Sequence, residues 1–315
     1  MATSKLWVEK YRPQTIQGCI IPSNIKAIMK KYVEDGNMTN LFLYGPPGSG
    51  KTSLAKALCN DLKAEVLFID ASSNNGKALI ENSIVPFAST VSMYNDETSK
   101  VVILDEADGL TPQAQQAFRP IIEMYEKTTR FIFTCNFANK IIEPIKSRCT
   151  VFNFGYTPDV IDDLKMQMLK RCIGILKHEK IEVVEDSQEI LKQFIDKKFP
   201  DFRSIINELQ AYTYDNKLDS GILTQKNVSG DISKELWTII KGSNFDTARK
   251  WVLESLMTPE DIFSNLYNNI DDYVNIEKIP ECILAIAEYQ YKSAFVSNQN
   301  INTMALLMNL MEILK

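Results

Sequence analysis

Gly45-Pro46-Pro47-Gly48-Ser49-Gly50-Lys51-Thr52 fits the pattern G-x-x-x-x-G-K-[ST], a glycine loop whose amides cradle phosphates. The flanks decide whether the pattern carries that meaning. Ahead of it, Leu41-Phe42-Leu43-Tyr44 is a short apolar run that reads as a buried strand. Behind it, Ser53-Leu54-Ala55-Lys56-Ala57-Leu58 is a good helix-forming sequence. Strand, loop and helix in that order are what the chemistry needs. The glycines permit a tight backbone, and the free amides and dipole at the helix start favour an anion. In such a loop Lys51 reaches the β- and γ-phosphates and the Thr52 hydroxyl holds Mg²⁺.

Outward from the loop, strands and helices alternate. Val66-Leu67-Phe68-Ile69 reads as a strand, and a helix is expected from Lys77 to Val85 or beyond, broken or kinked at Pro86. Val101-Val102-Ile103-Leu104 is an unalternating apolar run that suits a parallel strand buried on both faces. It ends in Asp105-Glu106-Ala107-Asp108, at the carboxyl end of a strand, where ligands of such sheets sit. Asp105 is expected to hold Mg²⁺, directly or through water, and Glu106 to polarise a water against the γ-phosphate. Thr111 caps a helix with Pro112 at its first position, and Pro120 is expected to kink or break that helix. Arg130 to Thr134 is the next strand and leads to Cys135-Asn136. A helix from Lys140 to Ile145 precedes Ser147-Arg148-Cys149 and a strand from Thr150 to Phe154. The alternation implies an α/β fold with a parallel sheet.

After Tyr156 the pattern is helical. Thr157-Pro158 opens a helix striped by Val160, Leu164, Met168, Cys172 and Leu176. Further helices are expected from Ser187 to Lys197 and from Asp201 to Thr213, with Asp201 as cap and Arg203 in the first turn. From Ser233 on the reading is helical throughout, with breaks near Gly242-Ser243-Asn244, Thr258-Pro259, Asn275 and Asn298-Gln299-Asn300. The last helix is apolar almost all round, so its own domain or a partner chain must cover it. Three domains are expected, over 1–156, 157–230 and 231–315.

Composition narrows the function. The 315 residues carry a net charge of −5, which gives no global attraction to nucleic acid. Six scattered cysteines without a C-x-x-C pair argue against a disulfide framework or zinc site and suit an intracellular, cytoplasmic protein. The sequence holds no uncharged apolar stretch of about 18 residues, so no membrane span is expected. Met1 to Lys10 lacks the apolar core of a secretory signal.

Together the glycine loop, the Asp-Glu-Ala-Asp strand end, Asn136, Ser147-Arg148-Cys149 and Asp201-Phe202-Arg203 follow the order seen in AAA+ ATPases. Glu9-Lys10-Tyr11-Arg12-Pro13 resembles the N-terminal signature of sliding-clamp loader subunits. Ala114-Gln115-Gln116-Ala117-Phe118-Arg119 and the stretch from Asn139 to Cys149 look like the small subunits of replication factor C. Asn153-Phe154-Gly155, Phe199-Pro200-Asp201-Phe202-Arg203 and the stretch from Leu218 to Leu223 look closer to the large clamp-loader subunit of T-even-type bacteriophages.

That resemblance implies a AAA+ core with helices on both faces of its sheet, a small helical lid and an all-helical collar for oligomerisation. It implies an ATPase, with ATP and Mg²⁺ as cofactors, that opens a ring clamp, loads it on primer–template DNA in replication and releases it on hydrolysis. Its partners would be the sliding clamp, the DNA and other loader subunits, copies of itself and one different chain; a phage-encoded protein would work in the host cytoplasm. The nucleotide set would be Tyr11, Arg12 and Pro13 at the adenine, then Gly45, Pro46, Pro47, Gly48, Ser49, Gly50, Lys51, Thr52 and Ser53. Thr52 and Asp105 would bind the metal. Glu106 would be the base, Asn136 sensor 1, Arg203 sensor 2 and Arg148 an arginine finger acting in trans, with Arg119 a weaker candidate beside an acidic neighbour. Asn75-Gly76-Lys77 and Thr111-Pro112-Gln113 would follow DNA phosphates, and Val91, Met93 and Tyr94 would touch the clamp. The alternative reading is a AAA+ DNA helicase or branch-migration motor, and nothing after the lid reads as a winged DNA-binding domain. A guanine-selecting N-K-x-D is not completed, since Ile141-Ile142 follows Asn139-Lys140.

Overall fold

The apolar runs become strands for the reason their composition implies: residues 41–43, 101–104 and 131–133 are covered on both faces, whereas the two edge strands leave Val66, Phe68 and Val151 exposed on one. The strands are β1 (Leu41–Tyr44), β2 (Glu65–Asp70), β3 (Lys100–Asp105), β4 (Thr129–Cys135) and β5 (Thr150–Asn153). They pair in parallel in the order β2-β3-β4-β1-β5. Alternate side chains enter opposite cores, as the two-residue period of a strand demands. Leu41 and Leu43 join Ile25 and Met29 of helix α2 (Ser23–Glu34), Leu54 and Leu58 on one face; Phe42 joins Val102, Leu104, Phe118, Phe131 and Phe133 on the other. This computed structural model describes residues 6–73, 76–90, 99–181, 187–213, 227–255 and 257–314. The expected contacts at Asn75, Val91, Met93 and Tyr94, and the stretch from Leu218 to Leu223, lie outside the described residues.

The strand order creates the crevice. Helix α3 (Lys51–Asp61) follows β1, and the next strand, β2, lies at the far edge beyond β4 and β3, whereas β5 pairs with the other side of β1. Connections therefore diverge at the carboxyl end of β1, the place where open α/β sheets bind ligands.

The arm opens with a short helix, α1 (Trp7–Lys10). Three local expectations need correction. Pro86 does not break its helix: α4 (Lys77–Leu79) passes into π turns over Ile80–Ile84 and then α5 (Val85–Ser89). Pro86 falls in the first turn of α5, where its missing N–H costs little. Helix α6 (Pro112–Met124) runs unbroken through Pro120. Gln116, whose carbonyl loses its partner there, and Pro120 are both exposed, so water can serve that oxygen. The expected helix from Lys140 to Ile145 is instead a 3₁₀ turn at Ala138–Lys140 followed by α7 (Glu143–Lys146).

Three helices complete the first compact unit, Met1–Ile222: α8 (Pro158–His178), α9 (Ser187–Lys198) and α10 (Phe202–Tyr212). Helix α10 begins where the Asp201 carboxylate accepts from Ser204 N at 3.0 Å, the cap expected of that aspartate.

The second unit, Leu223–Lys315, is described by itself. It contains α11 (Asn227–Lys241), α12 (Phe245–Glu254), α13 (Pro259–Asn268), α14 (Ile270–Tyr273), α15 (Ile279–Ser293) and α16 (Gln299–Ile313). Leu306, Leu307, Leu310 and Met311 of α16 pack with Trp237, Phe263 and Leu266 in its core. Its own unit thus covers one face of the last helix, while Ile301 and Met308 stay 68% and 49% exposed on the other.

Candidate nucleotide site

The glycine loop bends where only glycine bends readily. Gly48 and Gly50 have φ of 72° and 94°, in the left-handed region. A Cβ on Gly45 would stand 2.8 Å from the Phe154 backbone, just past the end of β5. A Cβ on Gly48 would stand 1.8 Å from Asp201 Oδ1, at the cap of α10. The loop is therefore held between the sheet and the following helices, and Phe202 N donates to Gly48 O at 3.1 Å.

Lys51 opens α3 with its side chain largely buried. Its ammonium donates to Gly45 O at 2.8 Å, Pro46 O at 2.7 Å and Asn136 Oδ1 at 3.1 Å. Burial pulls its pKa below the ordinary lysine value, opposed by the nearby Cys135, Asp105 and Asp108. One turn-start later, Thr52 Oγ1 donates to Asp105 Oδ1 at 2.6 Å. Asp105 closes β3, and Glu106 follows it in the left-handed region, φ 53°.

One cavity gathers most of the residues singled out from sequence. Tyr11, Arg12 and Pro13 line one end. Pro47, Gly48, Gly50, Lys51, Thr52 and Ser53 line the middle, with Asp105, Glu106 and Asn136 from the strand ends and Arg203 from α10. Gly45, Pro46 and Ser49 shape the loop from outside that lining; Ser49 Oγ donates to Pro46 O at 2.7 Å.

Arg148 is not among these residues. Its Nε donates to Glu123 Oε1 at 2.9 Å, Nη2 pairs with the same oxygen, and Nη1 donates to Pro144 O at 2.8 Å. The guanidinium holds the Glu123 carboxyl below its ordinary value. Arg119, one turn earlier on α6, is exposed.

Several residues in and around the site had no local signal. Thr134, buried on β4, accepts from Glu106 N at 3.2 Å and donates to Asp105 Oδ1, so one hydroxyl spans both carboxylate residues. Gln115, also buried, donates to Leu110 O at 3.2 Å and Lys140 O at 3.0 Å, and accepts from Ile142 N at 2.9 Å. It ties the turn after Asp105-Glu106 to the segment leading from Asn136 to Arg148. Arg171 of α8 reaches the cavity from the side of the arm. A lone hydroxyl in an apolar strand, and an amide on the inner stripe of a helix, were the only hints available. No group of acidic, histidine and cysteine side chains that could hold a metal alone occurs among the described residues. The hydroxyl of Thr52 and the carboxylate of Asp105 are the hard oxygen donors in place.

Comparisons with known proteins identify the family. Residues 41–155 match the family model "ATPase family associated with various cellular activities (AAA)". Residues 162–224 match "Sliding-clamp-loader large subunit, AAA+ ATPase lid domain". The replication factor C small subunit of Archaeoglobus fulgidus is 36% identical over 86% of this chain and 85% of its own length. That of Sulfurisphaera tokodaii is 34% identical over 97% and 94%, and human replication factor C subunit 5 is 31% identical over 96% and 90%. Among solved structures, the Thermotoga maritima RuvB Holliday junction branch migration motor aligns with a TM-score of 0.55 at 16% identity, over 73% of this chain and 79% of that one. At that identity the likeness is one of fold. The chain belongs to the clamp-loader family of AAA+ ATPases, the family of the replication factor C small subunits.

Proposed function

We propose that this chain binds ATP with Mg²⁺ and hydrolyses it as one subunit of a sliding-clamp loader, gripping a ring clamp and primer–template DNA and releasing them on hydrolysis. The observation that carries the reading is the single cavity that joins Lys51, Thr52, Asp105, Glu106 and Asn136 of the core to Arg203 of the lid, while Arg148 lies outside it. A site closed by a lid but lacking its own finger arginine suits a subunit whose hydrolysis waits for a neighbour.

The residues fit the cargo. Lys51 presents its ammonium among carbonyl oxygens and Asn136, where a phosphate oxygen can replace a carbonyl as acceptor. Thr52 and Asp105 would hold Mg²⁺, which when bound offsets negative charge on the phosphates. Glu106 orients the attacking water and draws on its proton as the oxygen adds. Asn136 fixes the water and the terminal phosphate. Arg203 holds the phosphates from the lid side, and Arg148 serves a neighbouring copy's site. Tyr11, Arg12 and Pro13 face the adenine.

We divide the chain into a core over 1–156, a lid over 157–230 and a collar over 231–315, with α11 bridging the last boundary. Copies of the chain assemble through the collar with one different subunit. The segments Asn153-Phe154-Gly155 and Phe199-Pro200-Asp201-Phe202-Arg203 support a T-even-type viral source, although the replication factor C relatives are archaeal and human; a viral source would make the host cytoplasm its place of work. The test is ATP turnover by the purified chain, alone and with primed DNA and candidate clamps. Turnover that rises with both and vanishes in Lys51→Ala is the expected result; a chain that neither binds nor hydrolyses ATP in their presence overturns the reading.

A further inference from the structure

The N-terminal arm changes allegiance at Pro13. Up to Tyr11 it is bonded to the lid helices. Trp7 N donates to Gln210 Oε1 at 2.9 Å. Lys10 Nζ pairs with Glu179 Oε1 at 2.6 Å, the Tyr11 hydroxyl donates to the same carboxylate, and that hydroxyl lies 2.7 Å from His178 Nδ1. From Gln14 on, the chain is bonded to α3 instead: Asn60 Nδ2 donates to Gln14 O at 3.3 Å and Ile16 N to Asp61 Oδ2 at 2.8 Å. Both stretches wall the same end of the cavity, Tyr11 on the lid-bound side and Gly18 on the core-bound side.

One side chain spans the two. Arg171 Nη1 donates to Tyr11 O at 3.1 Å and Nη2 donates to Gly18 O. A guanidinium is planar with its donors in a fixed fork, so two carbonyls bound to its two ends are held at a set separation. Lysine, with one flexible ammonium, cannot set that separation.

We propose that Arg171 is a specificity-determining positioning residue. It fixes the width of the slot between Tyr11 and Gly18 and thereby which purine base the site accepts, while leaving the phosphate end alone. The inference rests on the reading of this cavity as an ATP site.

The test separates the base from the phosphates. Binding of ATP, GTP and inorganic tripolyphosphate, which carries the phosphates without a base, is measured for the full chain and for Arg171→Met and Arg171→Lys. Arg171→Met loses two hydrogen bonds to the slot, so ATP affinity is expected to fall about tenfold. Its ATP-over-GTP preference narrows with it, and tripolyphosphate affinity stays unchanged. Arg171→Lys falls between. Equal losses for ATP and tripolyphosphate, or an unchanged ATP-over-GTP ratio, overturn the proposal. If Arg171→Met fails to show a folded thermal transition, the same ratios in Arg171→Lys decide. A wild-type chain that binds ATP no better than tripolyphosphate overturns the adenine-pocket reading itself, a result distinct from an intact preference that survives Arg171→Met.

Discussion

Gly48 and Asp201 are separated by 153 positions and by less than the thickness of a methyl group: a Cβ on Gly48 would meet Asp201 Oδ1 at 1.8 Å and Asp201 Cα at 3.2 Å. The phosphate loop and the cap of the lid helix thus occupy one space. Gly48→Ala must both populate φ of 72° with a side chain and displace Asp201 from Ser204 N. A loss of about 1–3 kcal/mol in stability is expected, the sum of a left-handed alanine and a lost cap. Nucleotide affinity should fall with it. In an Asp201→Ala background the clash is smaller, so the two effects should be less than additive in thermal unfolding. Strict additivity would show that loop and lid are uncoupled.

Glu106→Gln should bind ATP and stop turning it over, because an amide cannot accept the water's proton. Thr134→Val keeps the shape of the strand but strips the hydroxyl that spans Asp105 and Glu106. It should lower kcat while nucleotide binding survives, and Thr134→Ser should restore most of the rate. Single-turnover kinetics beside equilibrium binding measure the split. A Thr134→Val protein with full turnover would remove the hydroxyl from the positioning of the carboxylates.

Arg148 offers a mixing test. Arg148→Ala chains should bind ATP with near-normal affinity and lose turnover, since a trans-acting arginine can contribute about 10³–10⁵ in rate. Glu106→Gln chains keep Arg148 and lack the base. Mixed assemblies of the two should recover activity that neither shows alone. If mass measurements confirm co-assembly and no activity returns, Arg148 serves its own subunit, through the Glu123 ion pair on α6.

The outer face of α16 is the fourth target. Ile301 and Met308 are two turns apart and both exposed. Ile301→Lys with Met308→Lys should leave the helical unit folded, because the inward residues Leu306, Leu307 and Leu310 are untouched. The same change should reduce the oligomer seen by light scattering. An assembly of unchanged mass would place the collar contact elsewhere.

How much was legible beforehand follows from the range of each interaction. The run at residues 101–104 is short, unalternating and bounded by polar turns, so its burial on both faces was readable from composition alone, whereas the exposure of Val66, Phe68 and Val151 follows from edge positions that composition does not record. Helix starts were readable where a capping side chain sits next to its own helix, as at Thr111 and Asp201. The glycine loop and Asp105-Glu106 were legible because their chemistry dictates residue types at fixed spacing. Thr134, Gln115 and Arg171 were not, since each acts on at least one carbonyl or carboxylate 25 or more positions away. Nothing in their own neighbourhood records those partners. Pro86 and Pro120 misled for the opposite reason: the local rule was sound, but π turns and an exposed carbonyl absorbed the missing donors.

Glu106 carries a tension between durability and work. Its backbone sits at φ 53° and ψ 44°, a conformation that costs a glutamate roughly 1 kcal/mol and suits asparagine or glycine better. The residue whose carboxylate is proposed to drive turnover is therefore one the fold would gain by replacing. Glu106→Asn should melt at a higher temperature than the parent while losing catalysis, an opposition between stability and activity lodged in a single backbone turn. Selection for heat resistance alone would erode this position, and only selection for turnover would hold the glutamate in place.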